Sequence, residues 1–404
     1  MKDIAVIGGG AAGLFFAICA KKVNPDISVV IYEARDRVGK KIAVTGNGRC
    51  NISNSNILPE NYHGDRELAA KCLEAFNFNS QAEFFEELGV PFKSEDDKVY
   101  PRSLQASSVV DALRFKAEEL GVLIRVSSAV ETVKRDGEIF ICNTKENSEK
   151  YRCVVVATGG KAGGKLGDES GYNILKSLGH KIEPLFPSIV QLKTDNTLVR
   201  QLKGIKVDAV VNMSSSLGAR QEFGEVLFCD YGLSGPPILQ VSRLAMGEHP
   251  IITLDIVPDY EKEQLVDMLL KKVSLYPDRP LSELFTGLLH KRIGQVVIKS
   301  CGFSLELKFS ELREADVMLI VDRLKAMRFE VLGTTGFENA QVTVGGASTA
   351  QFFQNLMSKK AKGLFAIGEV LNVDGDCGGF NLAFAWSSGF VAANAAVSYL
   401  SDKK

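Results

Sequence analysis

The chain has little that would point to a metal centre, a disulfide framework or a charged partner. Its eight cysteines include no CxxC pair and form no cluster with the four histidines, so no metal is expected. The thiols are expected to be reduced, as in a cytoplasmic protein. The charges nearly cancel, with 48 basic against 49 acidic residues, which argues against a general attraction to nucleic acid or to an anionic membrane.

The start of the chain carries a βαβ dinucleotide fingerprint. A strand-length apolar run leads into a glycine-rich turn and then an apolar helix, the turn residues being Gly8, Gly9, Gly10, Ala11, Ala12 and Gly13. Gly8 permits the tight turn, Gly10 lets the backbone approach a pyrophosphate, and Gly13 lets the helix pack on the strand. The helix start offers N–H groups to the phosphates. A second strand-like run ends in Glu33, which is placed to bind an adenosine ribose and disfavours NADP in this slot.

The C-terminal part of the chain favours FAD over NAD. A short apolar run ends in Gly368-Glu369, and a glycine-rich loop and a helix of small residues follow. Glu369 is placed to bond ribitol hydroxyls. The N–H groups at the start of the helix are placed to stabilise negative charge on a reduced flavin, and the residues concerned are Gly379, Phe380, Asn381 and Leu382. The alternative interpretation is a glycine-rich loop before a core helix.

No second GxGxxG sequence follows a strand-like run. This argues against a separate NAD(P)H domain of the glutathione-reductase kind, so NAD(P)H, if used, is expected to act as a transient electron donor in the substrate cleft. The uncharged run 377–400 is long enough to span a bilayer, but its Asn, Ser and small residues favour a helix packed inside a protein, and no membrane partner is expected.

Two further stretches are expected to border the cofactor. One follows Glu33 and leads to a basic pair near the phosphates, and the other is a second buried strand with a glycine-rich end. The predicted contacts are Ala34, Arg35, Lys41, Thr158 and Gly159.

The loop from Thr45 to Asn51 is the best candidate for the reactive edge of the flavin. Its predicted cofactor contacts are Thr45, Gly46, Asn47 and Cys50. Arg49 either binds a substrate carboxylate or carbonyl or forms a structural salt bridge. Asn51 is a catalytic candidate, but the role that we favour for it is to fix a tight loop through bonds to the backbone. Tyr100 either reaches the cleft or shapes a turn. Cys50 and Cys377 either pass electrons to the flavin or, as we favour, are small buried residues. No histidine falls in a flavin motif, so none is assigned as a general base.

Motifs over nearly the whole chain resemble the BaiN-like bacterial flavoproteins, a family of NAD(P)/FAD-dependent or aminoacetone-oxidase-type oxidoreductases. The matching segments are 45–51, 224–228, 232–237, 336–343, 368–371, 379–382 and 385–389. The resemblance implies a non-covalent FAD, a two-dinucleotide-type fold with an inserted domain, and a position for Val130 near the adenine. The chain departs from the family at Cys229, Ala347 and 383–384, and the last of these lies near the expected flavin edge.

The predicted fold is α/β, with a Rossmann-like FAD-binding domain of the two-dinucleotide type interrupted by an insert. The FAD-binding domain comprises 1–186 and 341–404. The insert, 187–340, is expected to be β-rich over 188–257 and helical over 260–328. Because both ends of the insert are tethered beside the cofactor site, it is expected to recognise the substrate.

These features together predict an FAD-dependent oxidoreductase of a small or medium organic molecule, with an NAD(P)H-linked reductase favoured. The alternatives are an oxygen-dependent amine oxidase, a flavin-dependent nucleic-acid-modifying enzyme and a flavin-binding sensor. No nucleic-acid partner is expected from the balanced charge. The sequence leaves the physiological substrate and the oligomeric state open.

Overall fold

The structure is a computed structural model that describes residues 1–402. The chain folds into two compact units. The first unit is formed by Met1–Pro187 together with the chain from Ala340 onward, and the second by Ser188–Asn339. Each of these bounds lies within one residue of the sequence-based domain boundaries. The mixed α/β architecture confirms the predicted fold class.

Helices and strands alternate along three segments of the chain. The N-terminal segment contains β1 (Lys2–Ile7), α1 (Ala11–Val23), β2 (Val29–Tyr32), α2 (Lys40–Val44), β3 (Ser53–Asn54), β4 (Tyr62–Gly64), α3 (Arg66–Ala75), α4 (Phe78–Glu87), β5 (Phe92–Glu95), β6 (Lys98–Pro101), α5 (Ala106–Glu119), β7 (Leu123–Arg125), β8 (Thr132–Asp136), β9 (Ile139–Asn143), β10 (Ser148–Val156), α6 (Ser170–Ser177) and β11 (Ile182–Ser188). The insert contains β12 (Leu192–Thr194), α7 (Asn196–Val199), β13 (Lys206–Ser215), β14 (Gly218–Phe228), β15 (Gly232–Ser234), α8 (Pro236–Val241), β16 (Ile251–Asp255), α9 (Lys262–Leu275), α10 (Lys291–Ser300), α11 (Glu314–Lys325) and β17 (Met327–Thr334). The C-terminal segment contains β18 (Val342–Ala347), β19 (Leu364–Ala366), β20 (Val373–Gly375) and α12 (Phe380–Ser401).

The first unit is built on a seven-stranded sheet in the order β7-β2-β1-β10-β9-β8, with β19 also paired to β10. Strands β7, β2, β1, β10 and β19 are parallel, while β8, β9 and the first half of β10 form an antiparallel meander. Ile4, Ala5 and Val6 of β1 are fully buried, as in parallel sheets that are covered on both faces. Because β1 and β10 are parallel neighbours, their carboxyl ends lie side by side at the same end of the sheet.

Helices α1 and α12 pack against each other in this unit. A Cβ added at Gly389 would lie 3.2 Å from the carbonyl oxygen of Ala12, so the two backbones approach closely. Trp386 of α12 is fully buried, and its indole N–H donates to the carbonyl oxygen of Ile52 at 2.9 Å. The uncharged run near the C-terminus is thus an internal helix. Within residues 1–402, no helix is both long and apolar enough to cross a membrane.

The insert contains a closed barrel in the strand order β12-β15-β14-β13-β16-β17. Its interior is apolar, and Val211, Val226, Ile252 and Phe329 are almost completely buried. Helices α9, α10 and α11 lie within the range predicted to be helical. No strand was predicted in the insert after this helical range, so β17 is a difference from the prediction. This strand alternates buried and exposed residues, and it closes the barrel by pairing with both β12 and β16.

His180 is a buried residue of the first unit and lies between α6 and β11 in the chain. The His180 ring stacks on Phe352 with ring centroids 4.6 Å apart, and its Nε2 lies 2.9 Å from the hydroxyl of Ser358. Burial lowers the pKa of His180 to about 4, and the positive charge of Lys360 acts in the same direction. The imidazole is therefore held in its neutral form in the folded protein.

The stability of the protein should fall as the pH drops from 6.5 towards 4 because of His180. An unfolded histidine, with a pKa near 6.5, takes up its proton before the folded one does, so protonation favours unfolding by up to about 3 kcal/mol. Thermal unfolding midpoints of the wild type and of His180→Gln, measured from pH 4 to pH 7, test this. The wild type should lose more stability than the variant over that range, and parallel curves would contradict the prediction.

Candidate functional site

The glycine-rich turn after β1 is tightly packed on one side and open on the other. Gly8 has a φ of +109°, and a Cβ there would lie 2.4 Å from the carbonyl oxygen of Ala157. A Cβ at Gly13 would lie 2.0 Å from the carbonyl oxygen of Gly8. A Cβ at Gly10, in contrast, would have no atom within 4 Å. The open side of the turn is therefore the place where a pyrophosphate can approach the backbone, as the fingerprint requires.

The start of α1 is electrostatically suited to bind an anion. The first turn contains no acidic residue, and Leu14 is the first residue whose N–H donates within the helix, to the carbonyl oxygen of Gly10. The N–H groups of Ala11, Ala12 and Gly13 precede it and have no intrahelical acceptor. These three groups and the open space at Gly10 fit the phosphates of a dinucleotide.

Glu33 at the end of β2 is held by the glycine-rich turn. Its carboxylate accepts hydrogen bonds from the N–H groups of Gly9 and Arg35, both at 2.9 Å. Burial raises the pKa of Glu33, and the two backbone donors oppose that shift. A carboxylate has about four acceptor positions, so two remain for ribose hydroxyls. Glu33 therefore has a structural role besides the predicted one.

Replacement of Glu33 by alanine should weaken FAD retention and also destabilise the apoprotein. The predicted ribose bonds are lost, each worth about 1.5–3 kcal/mol before water compensates, and so are the bonds to Gly9 and Arg35. Glu33→Gln keeps one acceptor oxygen and should be milder on both counts. FAD affinity by fluorescence titration and apoprotein unfolding in urea separate the effects. Unchanged FAD affinity in Glu33→Ala would move the ribose contact elsewhere.

Lys41 and Glu369, predicted separately, are in direct contact. The Lys41 ammonium donates to the Glu369 carboxylate at 2.6 Å, and the other carboxylate oxygen accepts from the N–H of Thr343 at 2.9 Å. Gly160 lies so close that a Cβ there would be 2.7 Å from Glu369. The structure thus brings together α2, the end of β10, β18 and the segment after β19. All of them except β18 carry residues that were predicted from the sequence to contact the cofactor.

The loop from Thr45 to Asn51 has an unusual backbone. Asn47 and Cys50 have positive φ values of 55° and 58°, in addition to the glycines at 46 and 48. Left-handed conformations of residues other than glycine are uncommon and concentrate at functional sites. The loop therefore has a conformation that must be imposed by contacts elsewhere in the unit.

Asn51 supplies those contacts. In the orientation that satisfies its amide, the side-chain nitrogen donates to the carbonyl oxygens of Ser53 and Val99, and the oxygen accepts from the N–H of Gly379 at 3.0 Å. The side chain therefore joins the loop to the start of α12. Asn51 therefore has the geometry of the loop-fixing role that was favoured from the sequence.

Arg49 and Tyr100, two catalytic candidates, lie against each other. The Arg49 guanidinium is 4.5 Å from the Tyr100 ring centroid and forms an ion pair of 3.0 Å with Glu95. Tyr100 is only 5% exposed, and burial raises the pKa of its hydroxyl. This arrangement is a structural salt bridge on an aromatic ring, which was the alternative role of Arg49, and it leaves the guanidinium partly exposed.

The remaining predicted residues differ in their surroundings. Arg35 donates to the carbonyl oxygen of Gly167 at 3.4 Å, Ala34 is exposed and Val130 is buried. Burial raises the pKa of Cys50 to about 12 and also raises that of Cys377. A high pKa disfavours the reactive thiolate, so neither cysteine has the character of a redox dithiol.

The start of α12 is ordered by its own asparagine. Asn381 accepts from the N–H of Gly375 and donates to its carbonyl oxygen, both at 2.8 Å, and the Tyr62 hydroxyl donates to the carbonyl oxygen of Phe380. The first turn contains no acidic residue. Because the Gly379 N–H is bonded to Asn51, the N–H groups of Phe380, Asn381 and Leu382 are the ones left for a flavin.

A pair of polar side chains that was not predicted from the sequence lies close to this helix start. Nε2 of His63 is 2.9 Å from an Asp376 carboxylate oxygen, although the two residues are 313 positions apart. The sequence offers no local signal for the pair, because it depends on the pairing of β4 with β20.

Three features together define an FAD-dependent oxidoreductase: the parallel sheet, the open glycine-rich turn and the Gly368-Glu369 segment that follows β19. The chain matches the family described as HI0933-like protein Rossmann domain over residues 2–395, and it belongs to that family. This confirms the resemblance that the motifs indicated.

Curated relatives cover almost the whole chain. A Clostridium scindens protein named 3-dehydro-bile acid delta(4,6)-reductase is 35% identical over 98% of this chain and 99% of its own length. A Haemophilus influenzae protein named ribosomal RNA dihydrouridine synthase is 29% identical over 96% of each chain. Among solved structures, a variant of FrdA from Escherichia coli quinol fumarate reductase gives a TM-score of 0.51 at 16% identity, covering all of this chain and 71% of that one, and so shares the fold.

Proposed function

We propose that this protein is an NAD(P)H-linked reductase that uses bound FAD to reduce a carbon–carbon double bond conjugated to a carbonyl group in a small or medium organic molecule. The observation that carries the proposal is the whole-chain similarity to a relative named as a bile acid delta(4,6)-reductase. Such a reduction adds a hydride and a proton across the double bond, and a reduced flavin supplies the hydride.

The residues described above have the following roles in this proposal. The open turn at Gly10 and the start of α1 bind the pyrophosphate, and Glu33 binds the adenosine ribose. The Lys41–Glu369 pair binds the part of FAD that runs from the phosphates to the ribitol. The start of α12 stabilises negative charge on the pyrimidine end of the reduced ring.

A second candidate is the reduction of a uracil ring in ribosomal RNA. It is favoured by the name of the relative that is 29% identical. The chemistry is the same, because the reduced bond of uracil is also conjugated to a carbonyl group. Against it, the insert has 18 basic and 20 acidic residues, a composition that provides no general attraction to a polyanion.

The test is an anaerobic one on the purified holoprotein. NADH or NADPH is added first and the visible flavin absorbance is followed, and then cyclohex-2-enone, a 3-oxo-Δ4-steroid or a uridine-containing ribosomal RNA fragment is added. The proposal expects bleaching by one nicotinamide, recovery of the absorbance with an enone, and a product that has gained two hydrogens. Recovery only with RNA favours the second candidate. Oxygen uptake with amines in a separate aerobic assay, without enone reduction in the anaerobic one, favours an oxidase. A saturated ketone and the Gly10→Ala variant are the controls.

A further inference from the structure

His63 is positioned by a strand pair at the start of the C-terminal cofactor segment. It lies in the middle of β4, and its register partner on the antiparallel strand β20 is Asp374. Strand β20 runs directly into Asp376 and then into the start of α12. The imidazole is therefore attached to the same short segment that presents the N–H groups of α12.

The pairing with Asp376 orients the imidazole ring. Nε2 lies 2.9 Å from the carboxylate, and the His63 and Asp376 side chains are 18% and 11% exposed. The backbone of Asp376 is itself fixed, since its N–H donates to the carbonyl oxygen of Asn61 and its carbonyl oxygen accepts from Asn381. With the Asp376 carboxylate as acceptor, Nε2 is the donor, and Nδ1 is the second ring nitrogen, which the ion pair does not use.

The other histidines have different surroundings. His180 is buried beside a serine hydroxyl, and His290 caps α10 by accepting from the N–H of Arg292. His249 is exposed in the insert. Within residues 1–402, His63 is the histidine that is paired with a carboxylate, an arrangement that fixes the tautomer and the ring orientation of a base or acid.

Reduction of a conjugated double bond needs one proton from the protein. The hydride adds to the β carbon, and the π electrons then form a new C–H bond at the α carbon. The donor's N–H bond breaks in that step, and its electron pair stays on the nitrogen. An imidazolium with Nε2–H bonded to a carboxylate can give up its Nδ1 proton, remain as the neutral Nε2–H tautomer, and take a new proton from water.

We propose that His63 is the proton donor to the α carbon in the oxidative half-reaction, with Asp376 as the positioning residue that orients its ring. This inference rests on the proposed function, because it assigns the proton that the enone reduction needs. It adds a residue that lies outside the motifs of the cofactor site. It also gives β4 a role beyond packing against β20.

The experiment separates the two half-reactions in the holoprotein. The flavin is first reduced photochemically without oxygen and then mixed with cyclohex-2-enone or a 3-oxo-Δ4-steroid, and the return of its absorbance is timed. His63→Gln should slow this step by about 100-fold or more, the range of general acid catalysis, and leave FAD content and reduction by NAD(P)H unchanged. Added imidazole should restore His63→Ala. Asp376→Asn should slow the same step less, again without loss of FAD.

His249→Gln and His249→Ala are the matched controls, and neither should change the rate or respond to imidazole. If an enone reoxidises the wild type and the His63 variants equally fast, or if the His63 variants lose FAD, the role of His63 is wrong and the proposed function stands. If no enone reoxidises the reduced wild type, the proposed function is wrong and the inference falls with it.

Discussion

Gly10→Ala should abolish retention of FAD while leaving the apoprotein as stable as the wild type. The added Cβ meets no protein atom within 4 Å, so the fold has room for it, but it occupies the space where the pyrophosphate approaches the backbone. We expect FAD affinity to fall by about 100-fold or more, which is ~3 kcal/mol. Titration of the apoprotein with FAD and urea unfolding without FAD measure the two quantities.

Gly13→Ala is the matched comparison, because the same methyl group is added three residues further along the chain. Here the Cβ would lie 2.0 Å from the carbonyl oxygen of Gly8, and α1 can accommodate it only by moving away from β1. Overpacking against backbone should cost about 1–3 kcal/mol of apoprotein stability in addition to FAD affinity. If both variants unfold at the same urea concentration as the wild type, the prediction that Gly13 is too closely packed to accept a side chain is wrong.

Asn51→Leu should strongly reduce both the stability of the protein and its retention of FAD. The leucine has a similar size but removes the amide that bonds to Ser53, Val99 and Gly379. The carbonyl oxygen of Val99 still accepts from the N–H of Ile52, so up to two backbone groups, those of Ser53 and Gly379, lose their partner. Each unsatisfied group costs about 1–3 kcal/mol when buried, and the start of α12 is no longer joined to the loop. We expect a lower unfolding midpoint together with FAD that is released on gel filtration.

Asn47→Gly is the control for this prediction. Asn47 lies in the same loop with a positive φ, which glycine adopts without strain, so the loop conformation should be kept. Its unfolding midpoint should stay near that of the wild type, and it should lose less FAD than Asn51→Leu. Equal loss of FAD in the two variants would mean that any change in the loop, rather than the contacts of Asn51, is responsible.

The sequence predicts the parts of this molecule whose determinants are close together in the chain. The glycine-rich turn, the helix after it and the acidic end of β2 are contiguous, and steric rules for glycine and helix starts suffice to recognise them. The family match confirms the nucleotide-binding fold that this pattern indicates. Apolar spacing likewise predicts the helical range 260–328 of the insert, within which α9, α10 and α11 lie.

Features that depend on distant pairing were not predictable in this way. Met327, Phe329 and Val331 alternate with exposed residues over β17, but the run directly follows a helix, and its role in closing the barrel depends on β12 and β16. The contact of His63 with Asp376 likewise follows from the register of two short strands. Pairing information of this kind is distributed over the fold and is absent from any local window.

The order of the elements has a consequence for the synthesis of the protein on the ribosome. Strands β1, β2 and β10 emerge first, but β19, which completes their sheet, and α12, which packs against α1, emerge last. The insert's barrel, in contrast, closes within a contiguous stretch of chain. Nascent chains should therefore carry a folded insert and an incomplete, aggregation-prone first unit until translation is nearly complete. A premature stop codon shortly before α12 would release that intermediate, making its removal a task for chaperones and proteases.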